Sequence, residues 1–235
     1  MRFESGYTPA MPRRARLVFP GFPHHVTQRG NRRLPTFFEE GDYAFYRHLL
    51  AEGCERAGTK VWAWCLMPNH VHLILVPSRE DGLRTALGEV HRRYTRRINE
   101  RQEWKGHLWQ GRFASFAMDE AWLLACARYV ELNPVRAGLA ERPERWRWSS
   151  AAAHLGLASD PVTETGPLLE RVPDWGALLD RGLDDRTRAT IRDRERTGHA
   201  LGDSPFLARL AALAGYDIRP RGPGRPRKEP MPVPE

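Results

Sequence analysis

Two β-rich runs joined by only two residues are the feature that most constrains the fold of this chain. TKVWAWCLM covers residues 59–67, HVHLILV covers residues 70–76, and Pro68-Asn69 lies between them. Runs rich in β-branched and aromatic residues on either side of a tight turn predict an antiparallel β-hairpin. The predicted fold is therefore built on an antiparallel sheet.

The segments around the hairpin alternate between strand and helix patterns. HHVTQRG at 24–30 alternates as a short strand, and residues 42–54 have apolar residues at helical spacing. After the hairpin, the periodicity predicts a long amphipathic helix at about 81–101, a strand at 111–118 and a helix at 119–133. The order β-α-β-β-α-β-α predicts an α+β, ferredoxin-like fold with an antiparallel sheet.

The rest of the chain divides around this predicted domain, which we place at residues 16–150. Residues 1–15 form a basic N-terminal lead that need not be ordered. Residues 151–216 form a C-terminal helical extension, in which a helix at about 203–215 is well delimited. Residues 217–235 are rich in Pro, Gly and Arg and cannot form a core, so we expect a flexible basic tail.

The charge balance indicates a polyanionic partner. Lys and Arg number 37 against 29 Asp and Glu, and the isoelectric point is about 9.9. Most of the excess is Arg, whose planar guanidinium suits phosphate. Nucleic acid is favoured over a membrane surface because eight Trp, six Tyr and nine Phe offer rings on which bases can stack. A basic protein without such a partner stays open.

Composition also excludes several classes of protein. Three widely spaced cysteines, Cys54, Cys65 and Cys126, support neither a disulfide framework nor a cysteine zinc site. No stretch approaches the roughly 18 apolar residues of a membrane span, and the N-terminus lacks an apolar signal region. We therefore expect no membrane association and a cytoplasmic location.

His70 and His72 lie two residues apart on the second strand of the hairpin. Successive strand residues point to opposite faces, so both imidazoles share one face and Val71 and Leu73 share the other. This spacing suits a metal site. A polar surface face is the alternative, and the pair alone does not decide between them.

The segment RYVELNPVRAGL at 128–139 supplies a candidate partner for the two histidines. Tyr129 and Asn133 are four residues apart and share a helical face. An Asn carbonyl can bind Mg²⁺ or Mn²⁺, and a tyrosine hydroxyl is a potential nucleophile. The alternative is an ordinary amphipathic tyrosine, with Asn133 ending the helix before Pro134.

Three motifs in this order and spacing resemble the single-tyrosine HUH (IS200-like) transposases, and closest among them the bacterial REP-associated tyrosine transposases. The motifs are MPNHVHLIL, GHLWQGRF and RYVELNPVRAGL. FPGFPHHVTQRGNRR and the GRPRK tail are also similar to that family. The resemblance covers about residues 11–150, and because it starts at Met11 we expect translation to begin there.

The resemblance implies an enzyme. Its members are metal-dependent endonucleases and strand transferases that act on single-stranded and palindromic hairpin DNA through a 5′-phosphotyrosine intermediate. Tyr129 matches the nucleophile, and His70, His72 and Asn133 match ligands of a divalent ion, Mg²⁺ or Mn²⁺. The implied setting is the bacterial cytoplasm at the nucleoid, with REP-like palindromes as DNA partners; monomer and dimer both stay open.

DNA binding needs a basic track and stacking rings. The tail at 221–228 resembles an AT-hook, and a generic basic counterion tail is the alternative. For the arginines of the predicted helix at about 81–101, the alternative is an ordinary solvated helix face. The residues expected to contact DNA are His25, Arg29, Arg32, Arg33, Arg92, Arg93, Arg96, Arg97, Arg112, Arg225 and Arg227.

Two other functions and one other nucleophile are compatible with these residues. A hairpin-binding regulator that no longer cuts would keep the DNA contacts. A metal hydrolase would use water at the His-x-His site, but the motifs contain no evident carboxylate ligand for it. Tyr94 is the rival nucleophile, although its apolar spacing with Leu87 and Val90 places it in the core.

Overall fold

The architecture follows the predicted order of elements in a computed structural model that describes residues 16–218. The first seven elements confirm the β-α-β-β-α-β-α prediction; they are β1 (His24–Arg29), α1 (Glu40–Ala57), β2 (Thr59–Met67), β3 (His70–Pro77), α2 (Gly82–Gln102), β4 (Ala114–Ala117) and α3 (Glu120–Glu131).

The four strands form one antiparallel sheet in the order β2-β3-β1-β4. Both central strands, β1 and β3, are paired on two sides. In their register Val26 lies opposite Leu73 and Thr27 lies opposite His72. This is the strand order of the predicted ferredoxin-like fold.

Helices α1 and α2 cover the first face of the sheet. Val71, Leu73 and Leu75 pack there against the apolar sides of both helices. Tyr94 of α2 is fully buried in this layer, and its hydroxyl donates to the carbonyl of Thr36 at 2.7 Å. Tyr94 is therefore a core residue, as its spacing indicated.

Helix limits follow local capping chemistry. Gly58 ends α1 in the left-handed region, with φ of 60°. Asp119 begins α3 by accepting from the Trp122 amide at 3.0 Å. One expectation differs: the helix predicted at 119–133 ends at Glu131, and Pro134 lies in the first turn of the separate helix α4 (Asn133–Arg136). Proline is tolerated there because first-turn amides have no helical partner.

The C-terminal helices complete the second face of the sheet. They are α5 (Ala151–His154), α6 (Gly166–Arg171), α7 (Trp175–Asp180), α8 (Asp185–Thr197) and α9 (Ser204–Ala214). Leu168, Trp175 and Ile191 from this region share one core with Ile74 of the sheet and Val130 of α3. Residues 151–216 are thus packed onto the strands and α3.

A buried carboxylate joins α3 to this C-terminal region. Glu131 accepts from the Ser150 hydroxyl at 2.5 Å, from His154 Nδ1 at 2.6 Å and from Trp175 Nε1 at 2.7 Å. A buried carboxylate is tolerated when its oxygens are hydrogen-bonded in this way. The network fixes the end of α3 two residues beyond Tyr129.

Some expectations fall outside the described residues. These are the N-terminal lead with Met11 and the AT-hook-like tail with Arg225 and Arg227. Within residues 16–218, all three cysteines are free and buried. The same part of the chain contains no helix with the length and apolarity required to cross a bilayer.

Two glycines in neighbouring helices test the packing of α1 on α2. A Cβ at buried Gly53 would lie 2.7 Å from both the Ala86 carbonyl oxygen and Val90 Cγ2, whereas a Cβ at Gly88 would meet nothing within 4 Å. We predict that Gly53→Ala lowers the free energy of unfolding by about 1–3 kcal/mol, the usual cost of overpacking. Gly88→Ala should raise it by about 0.5–1 kcal/mol, because alanine favours a helix interior. Urea unfolding measures both, and equal effects of the two substitutions would contradict this packing.

Candidate active site

The two central strands display a row of polar side chains toward α3. His25, Thr27 and Arg29 alternate on β1, and the register places His70 opposite Arg29 and His72 opposite Thr27. Directly opposite residues in a sheet project to the same face. All five side chains therefore share the second face, while Val71 and Leu73 lie in the first core.

Two of the three histidines on this face, His25 and His70, each contact the third, His72. His25 Nε2 lies 3.0 Å from His72 Nδ1, and the rings of His70 and His72 are 4.8 Å apart, edge to face. Burial lowers the pKa of His25 and of His70 to about 3 and the pKa of His72 well below its usual value. Neutral imidazoles keep a lone pair for a proton or a metal. His72 Nε2 and His25 Nδ1 are buried without a hydrogen-bond partner.

Tyr129 of α3 faces these histidines. Its ring centroid is 5.5 Å from that of His72 and 5.9 Å from that of His25. Arg136 lies over the ring, 4.4 Å from its centroid, and donates to the Tyr129 carbonyl at 2.8 Å. Burial raises the pKa of the Tyr129 hydroxyl and the Glu195 carboxylate adds to this, while the positive charges of Arg192 and Arg136 oppose it.

Glu195 of α8 completes the group, and sequence reasoning missed it. Its Oε1 lies 3.5 Å from His72 Nδ1 and 4.0 Å from His25 Nε2, and its side chain lines the same cavity as Tyr129. Burial raises the pKa of Glu195 to about 7, against the opposing effect of Arg29, Arg192 and Arg136. A weak signal existed in the sequence: Ile191 and Glu195 are one turn apart in an otherwise highly charged helix.

These residues surround an open cavity of about 770 Å³ with a strongly cationic wall. Tyr129, His70, Asn133 and Glu195 line it from α3, β3, α4 and α8. Arginines supply much of the remaining wall, namely Arg29, Arg33, Arg112, Arg192 and Arg196. Guanidinium groups bind phosphate oxygens well, so the cavity can accommodate a phosphodiester beside a tyrosine hydroxyl.

The donor atoms fit a divalent cation in two ways, and His72 belongs to both. His25, His72 and Glu195 offer ligand atoms that lie within 4.8 Å of one another. The set predicted from the sequence instead joins His72 to His70 and Asn133, which line the same cavity. Asn133 would bind a cation through its Oδ1, since the amide nitrogen is a donor only. Imidazole nitrogens with amide or carboxylate oxygens suit Mn²⁺ and, more weakly, Mg²⁺.

The other residues expected to contact DNA fall into two groups. His25, Arg29, Arg33 and Arg112 lie at the cavity or beside it, and Arg32 is exposed with a left-handed φ of 54°. The arginines of α2 lie on the first-face layer, away from Tyr129. Arg92 pairs with Glu89, Arg93 with Glu52 and Arg96 with Glu100, and Arg97 stacks on Phe45.

Comparisons with known proteins show what this chain is similar to. Residues 21–133 match the family model described as Transposase IS200 like. A Haemophilus influenzae protein named among the REP-associated tyrosine transposases is 26% identical over 116 residues. That match covers 45% of this chain and 66% of the relative, slightly less than two thirds of its length.

Two solved structures are also similar. A REP-associated tyrosine transposase bound to a REP hairpin superposes with a TM-score of 0.54 and 20% identity, covering 66% of this chain and 98% of that one. This likeness shows a shared fold. A transposase crystal structure from Deinococcus radiodurans R1 gives a TM-score of 0.36 at 20% identity, over 56% of this chain and 96% of that one.

His24 is a structural histidine and differs from the histidines of the cavity. It precedes His25 on β1, so its side chain lies on the opposite face of the sheet. Its Nδ1 donates to the Phe22 carbonyl at 2.8 Å, and its Nε2 accepts from the Phe19 amide at 3.2 Å. Burial lowers its pKa to about 4. An unfolded histidine binds a proton below about pH 6.5, so the unfolded chain holds more protons between that pH and 4. The free energy of unfolding therefore falls as the pH drops through this window.

We predict that His24→Gln makes this pH dependence shallower by at most about 1.4 kcal/mol per pH unit, the contribution of one proton. Urea unfolding at several pH values between 7.5 and 4.5 measures the slope. His48→Gln at an exposed position on α1 is the control, with a slope like that of the wild type. An unchanged slope in His24→Gln would show that this imidazole is not held neutral by burial.

Proposed function

We propose that this chain, whose residues 21–133 match the IS200-like transposase family model, cuts and rejoins single-stranded DNA through a covalent bond between Tyr129 and a 5′ phosphate. The observation that carries the proposal is the position of the Tyr129 side chain. Its ring contacts His25 and His72, and it lines a cavity walled by arginines together with Glu195 and Arg192. A nucleophile, a proton acceptor and phosphate-binding cations are thereby together.

The residues have distinct roles in the proposed reaction. The Tyr129 oxygen attacks phosphorus and its proton passes to Glu195, while the bond from phosphorus to the 3′ oxygen breaks and that oxygen takes up a proton. A carboxylate whose pKa of about 7 is close to neutral pH is well matched to this transfer. Arg29 and Arg192 stabilise the charge that gathers on the phosphoryl oxygens. The reverse reaction, started by a free 3′-OH, rejoins the strand.

A divalent ion, Mg²⁺ or Mn²⁺, is part of the proposal. We assign it to His70, His72 and Asn133, because the buried His72 Nε2 has no other partner while His72 Nδ1 is contacted by His25. When bound, the ion polarises the scissile phosphate and stabilises its charge. His25 and Glu195 would then hold the orientation of His72 from its other nitrogen, as residues beside a metal ligand often do.

The substrate is proposed to be palindromic hairpin DNA with an unpaired flank. The structural relative is bound to a REP hairpin, and this chain shares that fold and presents a basic cavity. Action on such elements in the bacterial cytoplasm, at the nucleoid, belongs to the same proposal.

The nucleophile assignment predicts a protein–DNA adduct. After incubation with single-stranded palindromic DNA and Mg²⁺ or Mn²⁺, a denaturing gel should show a covalent complex that is lost in Tyr129→Phe. Tyr94→Phe is the matched control and should keep the adduct, because Tyr94 is buried on the first face of the sheet. An adduct that persists in Tyr129→Phe would contradict the assignment.

Two further outcomes of that experiment separate the alternative functions. Binding without any cleavage would favour a hairpin-binding regulator. Cut ends without an adduct would favour hydrolysis by water, a possibility that the structure strengthens because Glu195 supplies the carboxylate that the motifs lacked.

The ligand assignment predicts the response of Mn²⁺ binding to substitution, measured from free Mn²⁺ by electron paramagnetic resonance. Asn133→Ala and His72→Ala should each weaken binding by at least about tenfold. Glu195→Gln should have a smaller effect, and Asn99→Ala, at an exposed amide on α2, should have none. Strong loss in Glu195→Gln together with normal binding in Asn133→Ala would instead place the ion between His25, His72 and Glu195.

A further inference from the structure

A second cavity adjoins the active site along the edge strand β4. Its volume is about 390 Å³, and it extends from Glu195 past β4 to the segments that contain Arg16 and Tyr216. Gln110, Arg112, Ala114, Glu195 and Arg196 line both this cavity and the one that contains Tyr129. The two spaces are therefore contiguous, and we call the second one the edge groove.

Arg16 gives the edge groove a fixed cation. Its guanidinium carbon lies 3.9 Å from the centroid of the Phe113 ring, and its Nε donates to the Phe113 carbonyl at 2.7 Å. Within residues 16–218 Arg16 has no carboxylate within ion-pair distance. Burial and the nearby charge of Arg112 lower its pKa to about 10. A guanidinium fixed in place without a carboxylate partner can bind a phosphate oxygen.

Ser115 adds a second and independent sign of a ligand. This residue of β4 is 5% exposed, lines the edge groove, and has a buried hydroxyl without any hydrogen-bond partner. A buried hydroxyl without a partner is costly, so such groups are normally satisfied. A phosphate oxygen in the groove would satisfy it.

The remaining lining decides which anion fits. Tyr216 is 57% exposed at the far end of the groove, where its ring can stack on a base. The carboxylates that line the groove are Glu195, at the junction with the active site, and Asp217, near Tyr216. A ligand that fits this lining has its phosphates between Glu195 and Asp217 and a base at Tyr216. A nucleotide chain has this arrangement of groups.

We propose that the edge groove binds the backbone of the unpaired DNA strand as it leaves the scissile phosphate, with Arg16 and Ser115 on one phosphate and Tyr216 under a base. This inference rests on the proposed function, because it takes the Tyr129 cavity as the site of the cut. It adds a binding site outside the motifs, formed by the segment before β1, by β4 and by the chain that follows α8.

The test measures binding separately from cleavage. All proteins carry Tyr129→Phe, so that no covalent step contributes, and the probes are fluorescein-labelled oligo(dT) of 16 and of 4 nucleotides, read by anisotropy. Arg16→Gln should weaken binding of the longer probe by about 5–10-fold. The slope of log K against log salt concentration should also become shallower by about 0.7, the contribution of one phosphate contact to a single strand. The shorter probe should be affected by less than about twofold.

Two further variants keep the test independent of folding. Arg209 also stacks on a phenylalanine, Phe22, but outside both cavities, so Arg209→Gln should bind both probes like the parent. Ser115→Ala should weaken binding of the longer probe by about 2–5-fold with an unchanged salt slope. Its melting temperature should be equal or higher, because a hydroxyl without a partner is removed.

The proposal is overturned if Arg16→Gln and Ser115→Ala bind the longer probe like the parent protein, or if Arg209→Gln loses as much affinity as Arg16→Gln. Loss of affinity only in parallel with a lowered melting temperature also overturns it. The adduct assay with intact Tyr129 is separate: an absent adduct would refute the proposed function, and weaker binding by the groove variants would still establish the groove as a strand-binding site.

Discussion

The pairing of β1 with β3 is the constraint on which the rest of the site depends. Its register places Arg29 opposite His70 and Thr27 opposite His72, so the polar side chains of both strands share one face. A slip by one residue would exchange this face for the one formed by Val26, Val71 and Leu73. The apolar first face, covered by α1 and α2, therefore fixes the position of the histidines.

Burying several imidazoles on one face of the sheet costs free energy of folding unless their polar atoms find partners. Burial keeps His25 and His72 neutral and raises the pKa of Glu195. The cost is offset by the contacts among these groups and by the arginines around them. Groups with strongly shifted pKa values are common where chemistry occurs, and here they surround the side chain of Tyr129.

The C-terminal helices form an integral part of this centre. The core formed by Trp175 and Ile191 holds α8 against α3 and the sheet, and α8 brings Glu195 and Arg192 to Tyr129. At the end of α3, Glu131 also joins this helix to the C-terminal region through its hydrogen bonds with Ser150 and Trp175. The proposed proton acceptor therefore comes from outside residues 21–133, the part of the chain that matches the family model.

Much of the fold and part of the site could be predicted because their signals are local. The hairpin, the caps at Asp119 and Gly58 and the shared face of His70 and His72 each depend on residues close in sequence. Glu195 could not be found in this way, because it meets His72 only after α8 packs on the sheet. The ion pairs of the α2 arginines are also local, because Glu89 and Glu100 are three or four residues from Arg92 and Arg96.

The most direct test of the account is to identify the residue to which DNA becomes attached. Trypsin cuts after arginine, so digestion of the adduct should release residues 129–136, YVELNPVR, with the mass of a 5′-linked nucleotide after nuclease treatment. The account predicts this mass, with fragmentation placing it on Tyr129. The modification on residues 94–96, which contain Tyr94, or on any other peptide would contradict it.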